Sequence, residues 1–253
     1  MLSRRVIVCL DVADGRVMKG VQFESLRGIG DPAALASRYE AEGADEIVFL
    51  NIAAHRDGDA RLADIVCRTA ERLFIPLTVG GGIASVEHAG RMLRAGADKI
   101  SINSASVSRP EVITETAEKF GSQCVVASID ARREQGAWRV YTHGGRKATS
   151  LDAVEWAAKC AELGAGEILL TSIDRDGTRD GYDLELTQAV ARVVNVPVVA
   201  SGGGGRSAHV VEVLSNGGAD AALMAGAFHD RACTIHEVKA AMCKAGLPVR
   251  AAA

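Results

Sequence analysis

The sequence predicts a closed barrel of eight β-α pairs, an α/β (β/α)8 fold, and three observations carry that prediction. Short apolar runs alternate with amphipathic stretches along the whole chain. Most of the runs are continuous, as strands covered on both faces should be. The pattern is also written twice, with a period of about 120 residues. An open doubly wound sheet is the alternative for such alternation, and the doubling favours the barrel. One domain spanning 1–253 is expected, with half-barrels at about 1–122 and 123–253.

Strands are expected over 5–11, 46–52, 75–79, 98–103, 124–130, 167–172, 197–201 and 220–225. Helical periodicity falls near 32–42, 61–73, 86–95, 110–120, 151–163, 184–194, 207–216 and 235–245. Asp31-Pro32 reads as an N-cap followed by a first-turn proline, and Ser85 and Ser207 are N-cap candidates. Gly43, Gly96, Gly121 and Gly164 read as helix stops. The doubling aligns Val6–Asp11 with Val125–Asp130, and Arg56-Asp57-Gly58 with Arg175-Asp176-Gly177. It also aligns Ile75–Gly82 with Val196–Gly203, and Ala95–Asp98 with Gly217–Asp220. Two longer loops, 14–31 and 131–150, follow the first and fifth strands, the second with 138–141 as a possible extra strand. Both fall at the C-terminal face, where such barrels keep their chemistry.

Composition excludes several classes of function. The 29 basic and 32 acidic residues leave a net charge of -3, against non-specific nucleic-acid binding. No uncharged apolar stretch approaches the roughly 18 residues that span a bilayer. The apolar run at the N-terminus is broken by Asp11, too soon for a secretory signal. A reducing cytoplasm is expected. Cys9, Cys67, Cys124, Cys160, Cys233 and Cys243 lack zinc-like spacing and read as buried or half-buried thiols. The six histidines form no spaced cluster, so no metal and no cofactor is assigned.

Asp11 and Asp130 end the first and fifth strands, which face each other in an eight-stranded barrel. Two opposed carboxylates suit general acid-base work if their environments differ. The plainer reading is that each caps its following loop. Glycine is enriched, and it clusters after the apolar runs: Gly80-Gly81-Gly82 after the third, Ser201 with Gly202–Gly205 after the seventh. With Asn103-Ser104 and Ala225-Gly226 these form two sets of small turns whose backbone N–H groups could cradle phosphates. Tight turns alone would also use such glycines. A doubled cradle points to a substrate with a phosphate at each end. Thr171 and Ser201 can point inward to substrate hydroxyls, and Asp174, Asp176 and Gly177 lie near the second cradle. Lys19 can reach a phosphate or stay solvated. Arg5, Glu46, Lys99 and Glu167 begin strands at the other end, where four ringed charges could close the barrel with mutual salt bridges; spacing alone favours ordinary capping, as it makes Asp98 a surface charge.

The motifs resemble the cyclase subunit of imidazole glycerol phosphate synthases. The likeness is carried by Val8–Val12 with Asp14–Gly20, Thr78–Ile83, Gly96–Ser104 and Gly121–Val126. It is carried above all by the run Gly164–Thr178, and it extends from Met1 to about Arg250. The resemblance implies a barrel of histidine biosynthesis that takes ammonia and a bisphosphate ribulosyl-formimino aminoimidazole carboxamide ribotide. It implies Asp11 and Asp130 as the acid/base pair, without saying which is which, and Lys19 over the substrate. Gly82, Asn103 and Ser104 would hold one phosphate; Gly177, Gly203, Ala225 and Gly226 the other. Arg5, Glu46, Lys99 and Glu167 would gate an ammonia channel, with a glutaminase subunit docked below to form a heterodimer and Asp98 as a contact. No metal or organic cofactor is implied.

Three departures stand out. Asn51-Ile52-Ala53-Ala54 replaces Asp-Ile-Thr-Ala, which removes a charge and a hydroxyl from the mouth, so an altered rate is expected. The run Ser201-Gly202-Gly203-Gly204-Gly205 carries an extra glycine where Val or Ala is frequent, and Gly226 stands where Ser is usual. Two other readings remain: the sister Amadori isomerase of the same pathway, and a non-catalytic barrel that binds a phosphorylated ligand or a partner.

Overall fold

The computed structural model describes residues 3–21 and 24–250; the side chains of 19–27 and 54–59 lie outside the described set. The strands, in chain order, are β1 (Arg5–Ala13), β2 (Arg16–Val21), β3 (Glu24–Gly30), β4 (Glu46–Asn51), β5 (Leu77–Gly80), β6 (Lys99–Ile102), β7 (Val125–Glu134), β8 (Ala137–Thr142), β9 (Lys147–Asp152), β10 (Glu167–Ser172), β11 (Val198–Ser201) and β12 (Ala221–Met224). The helices are α1 (Pro32–Ala41), α2 (Ala54–Ala70), α3 (Val86–Arg94), α4 (Ser104–Ser108), α5 (Glu111–Phe120), α6 (Ala153–Glu162), α7 (Leu184–Ala191), α8 (Ser207–Ser215), α9 (Gly226–His229) and α10 (Ile235–Lys244).

Eight parallel strands close on themselves in the order β1, β4, β5, β6, β7, β10, β11, β12 and back to β1. This is the (β/α)8 barrel. Helices begin and end where local chemistry directs. Asp31 accepts from the Ala34 N–H, and Ser85 from that of His88. The stops at Gly43, Gly96 and Gly164 hold φ of 97°, 111° and 106°, where a side chain would be strained. Ser207 is the first residue of α8, with Arg206 before it as cap. The helix expected over 61–73 starts earlier and ends sooner, as α2.

The two long segments are strands. β2 and β3 fold back on β1, and β8 and β9 on β7, as antiparallel ribbons at equivalent places in the two halves. Their first turns are Asp14-Gly15 (φ 51° and 79°) and Gln135-Gly136 (φ 49° and 89°). Two residues at positive φ match the twist of a tight hairpin.

Alternation within each barrel strand sorts its side chains. One set packs outward against the helices as the main core. The other fills the lumen: Ile7, Cys9, Val48, Val126, Leu169, Val199, Ala221 and Leu223. Cys67 and Cys243 are exposed on α2 and α10, which corrects the expectation of six shielded thiols; all six are free. No helix among the described residues is long and apolar enough to cross a membrane.

Candidate active site

Inward alternation along β1 leads from Arg5 through Ile7 and Cys9 to Asp11. Along β10 it runs from Glu167 through Leu169 to Thr171. The lumen is thus charged at its lower end, apolar in its middle and acidic at its mouth.

At the lower end Arg5 bridges Glu46 (2.8 Å) and Glu167, and Lys99 bridges the same two carboxylates at 2.9 and 2.8 Å. Four charges of alternating sign form one closed ring. Thr78 Oγ1 adds a hydrogen bond to Glu46 at 2.6 Å. Burial would raise the Glu167 carboxyl, but Arg5 and Lys99 outweigh it and hold it below its ordinary value. Burial also opposes the Arg5 charge, and Glu167 and Glu46 more than restore it. Above the ring Ile7, Val48, Val126, Leu169 and Val199 line a cavity of about 10 Å³. That is room for a molecule the size of water.

At the mouth Asp11 and Asp130 sit on diametrically opposed strands, each partly buried. Burial pushes Asp11 up to about 7, with the nearby Asp176 charge adding and the Cys9 thiol opposing. Burial likewise lifts Asp130 to about 6, with the Asn103 amide opposing and Asp176 adding. Asp176, itself raised by burial, sits within electrostatic reach of both. Thr171 and Ser201 are register partners on β10 and β11, and Thr171 also pairs with Asp130.

The glycine turns repeat across the two halves. Gly81 and Gly202 both hold φ near 90°. A Cβ on Gly81 would meet the Asn51 carbonyl at 2.2 Å, and one on Gly202 the Ser172 carbonyl at 2.5 Å. Asn103 (φ -119°, ψ -96°) and Ala225 (φ -132°, ψ -81°) share a backbone shape and open the short helices α4 and α9. Each half therefore brings a glycine turn beside a small-residue turn. Gly82 lies in the first set; Gly203, Gly226 and the open Gly177 border the second.

A family model described as "Histidine biosynthesis protein" matches residues 5–234. The chain belongs to the histidine biosynthesis protein family. It is also 62% identical over 250 residues to the imidazole glycerol phosphate synthase subunit HisF of Myxococcus xanthus (strain DK1622), with 99% of each chain covered. That relative is named as a subunit of a synthase.

Within this histidine biosynthesis barrel, several side chains face other partners than spacing implied. Asn103 donates its amide to Asp130 Oδ2 at 2.9 Å, while its own amide oxygen is buried without a partner among the described residues. Ser104 Oγ accepts from the His143 N–H at 2.9 Å, which ties the β8–β9 turn over the first cradle. Asn51 turns back to accept from the Ala53 N–H at 3.0 Å, so the amide oxygen does the turn-capping that a carboxylate could do. Within the glycine run after β11 one position has a steric reason: a Cβ on Gly204 would lie 2.5 Å from the Tyr182 hydroxyl. That hydroxyl is engaged with the Leu223 carbonyl at 3.0 Å. Asp98 is exposed beneath the barrel and caps the Leu77 N–H at 2.8 Å, as Asp220 caps Val198 at 3.1 Å. The Lys19 side chain lies outside the described residues; its backbone belongs to β2. Cys9 and Thr78 have site contacts that only inward alternation along β1 and β5 hinted at, and Tyr182, in the segment between β10 and α7, had no signal in the sequence.

Proposed function

We propose that this chain is the ammonia-using cyclase-lyase of histidine biosynthesis, working on a bisphosphate ribulosyl-formimino carboxamide ribotide. Its products are imidazole glycerol phosphate and the aminoimidazole carboxamide ribotide. The observation that carries the reading is the stack in one lumen: a closed ion ring, a small apolar cavity, then two opposed carboxyls that burial keeps from ionising at their ordinary pH. Ammonia enters through the ring of Arg5, Glu46, Lys99 and Glu167 and meets substrate held at both ends by the glycine cradles. Gly82, Asn103 and Ser104 hold one phosphate and Gly177, Gly203, Ala225 and Gly226 the other, with Thr171, Ser201, Asp176 and Lys19 contacting the body of the substrate. Asp11 and Asp130 move the protons of ammonia addition, loss of the leaving nitrogen and ring closure. Asn103 fixes the Asp130 carboxyl toward the mouth. The sister isomerase needs no route through the barrel, so the ring and cavity favour the cyclase. One domain and a cytoplasmic setting complete the proposal.

The test is turnover of the bisphosphate ribotide by the purified chain with ammonium, followed by the fall in substrate absorbance. With Asp130 ionising at about 6 and Asp11 at about 7, the pair carries one proton between those limits. At constant free ammonia, kcat/KM should therefore be bell-shaped, with limbs at these values and a maximum between them. A folded chain that binds substrate without turnover would move the reading to a binding barrel; a profile flat from pH 5 to 8 would remove the aspartates from proton transfer.

The partner in this proposal is a glutaminase subunit docked beneath the ring, giving a heterodimer. Phe74, 91% exposed just before β5, and the exposed Asp98 lie on that face. A large exposed aromatic at a face built for docking is a hot-spot candidate. Phe74→Ala should weaken glutaminase binding about tenfold or more and leave turnover with free ammonium unchanged. Unaltered affinity by titration calorimetry would place the partner elsewhere.

A further inference from the structure

We propose that Arg179 is a charged ligand of the second phosphate cradle, parked on Asp230 until a phosphate takes its guanidinium. The inference rests on the phosphate reading of that cradle given above. Arg179 lies in the segment after β10 and is exposed. Its φ is 63°, a conformation uncommon for a residue with a side chain, and one that sets where the side chain leaves the loop. Backbone and side chain of this one residue touch both turns of the cradle. A Cβ on Gly205 would meet the Arg179 carbonyl at 2.5 Å and its Cβ at 2.6 Å, so its backbone lies against the turn after β11. The side chain crosses to the turn after β12, where Nη2 donates to the Gly226 carbonyl at 3.3 Å and pairs with Asp230.

Gly226 has no side chain to offer a ligand. Arg179 Nη2 is the nearest atom to the place its Cβ would occupy, at 3.6 Å. The guanidinium thus borders the space that glycine leaves open. The turns themselves bring backbone N–H groups but no full charge, and a phosphate carries up to two. Of the neighbouring arginines, Arg206 is engaged through Nε with His209 Nε2 at 2.8 Å. Arg175 packs its Cβ over Gly203, 3.0 Å from where a Cβ there would sit. Arg179 has a fork of donors suited to phosphate oxygens and a monoanionic partner that a dianion can displace. Its pair with Asp230 is part-exposed, with side chains 42% and 32% accessible, so exchange costs little.

The alternative role for the pair is a plain strap between loops, and the two roles predict opposite effects at Asp230. The full chain would be titrated with inorganic phosphate and with the bisphosphate ribotide, as wild type, Arg179→Ala, Arg179→Lys and Asp230→Asn. Arg179→Ala should raise the Kd for one of two phosphates, and the KM for the ribotide, about tenfold, with kcat falling less. The difference should shrink as salt rises, and lysine should recover part of it. Asp230→Asn, which releases the guanidinium, should bind phosphate as tightly as wild type or more so. A strap would make Asp230→Asn as damaging as Arg179→Ala, and that result overturns the proposal. So does an Arg179→Ala chain that binds as wild type does. Wild type that binds no phosphate at either cradle would overturn the phosphate reading itself, and this proposal with it.

Discussion

Asp11→Asn should lower ammonia-dependent turnover by about 10³-fold or more and, at pH 8, raise the melting temperature. The stability gain follows from linkage. The folded Asp11 carboxyl titrates at about 7 against an ordinary 3.8. A group raised on folding stabilises fully below its unfolded value, and that contribution is lost as pH rises through the folded one. At pH 8 the ionised carboxylate is therefore a burden that asparagine removes. Each tenfold change in proton affinity corresponds to about 1.4 kcal/mol, and with relaxation and mouth water taken into account about 2 kcal/mol is expected. For a chain of this size that is about 4–8 °C. The gain should fade as pH drops toward 4. Scanning calorimetry at pH 8 and pH 5 reads it, and a melting temperature lowered at pH 8 would refute the burial argument.

The second large effect lies in the ion ring. Glu46 is 2% exposed and accepts from Arg5, Lys99 and Thr78. Replacing it with alanine leaves two part-buried cations sharing Glu167. Breaking a buried pair from one side costs about 3–5 kcal/mol. Urea unfolding should show a lower midpoint with an unchanged slope. The double variant Glu46→Met with Lys99→Met restores neutrality and should recover most of the loss. Additive losses in the double variant would mean that the ring members act independently.

How far the sequence disclosed all this depends on the length over which each signal acts. Barrel strands were legible because continuous apolar runs report burial on both faces. Of the ribbons only β8 showed, in the run 138–141; β2, β3 and β9 were hidden, since edge strands over the mouth mix Arg, Lys and Glu with apolar residues. Asp14-Gly15 was nonetheless a hairpin signal in plain view. α4 and α9, five and four residues long, are too short to show a period. Asp11 and Asp130 were found because the doubling put them at matching strand ends. The link from Asn103 to Asp130 joins neighbouring strands, and only the register of β6 against β7 brings them together. Strand starts placed Arg5, Glu46, Lys99 and Glu167 at one end of the barrel and left mutual salt bridges open, although spacing alone favoured separate capping. The family resemblance was what tipped the reading from capping to a ring.

Each mouth aspartate lies at the root of an antiparallel ribbon, Asp11 opposite Met18 and Asp130 opposite Tyr141. Solvent exclusion is the largest influence on the acidity of both carboxyls. Keeping water from a carboxyl makes its proton harder to lose, and here the chain turns back over the mouth from each of the two. Each half of the barrel thus repeats one plan, a carboxyl at a strand end with a ribbon folding back from it, and raises its acid by the same means.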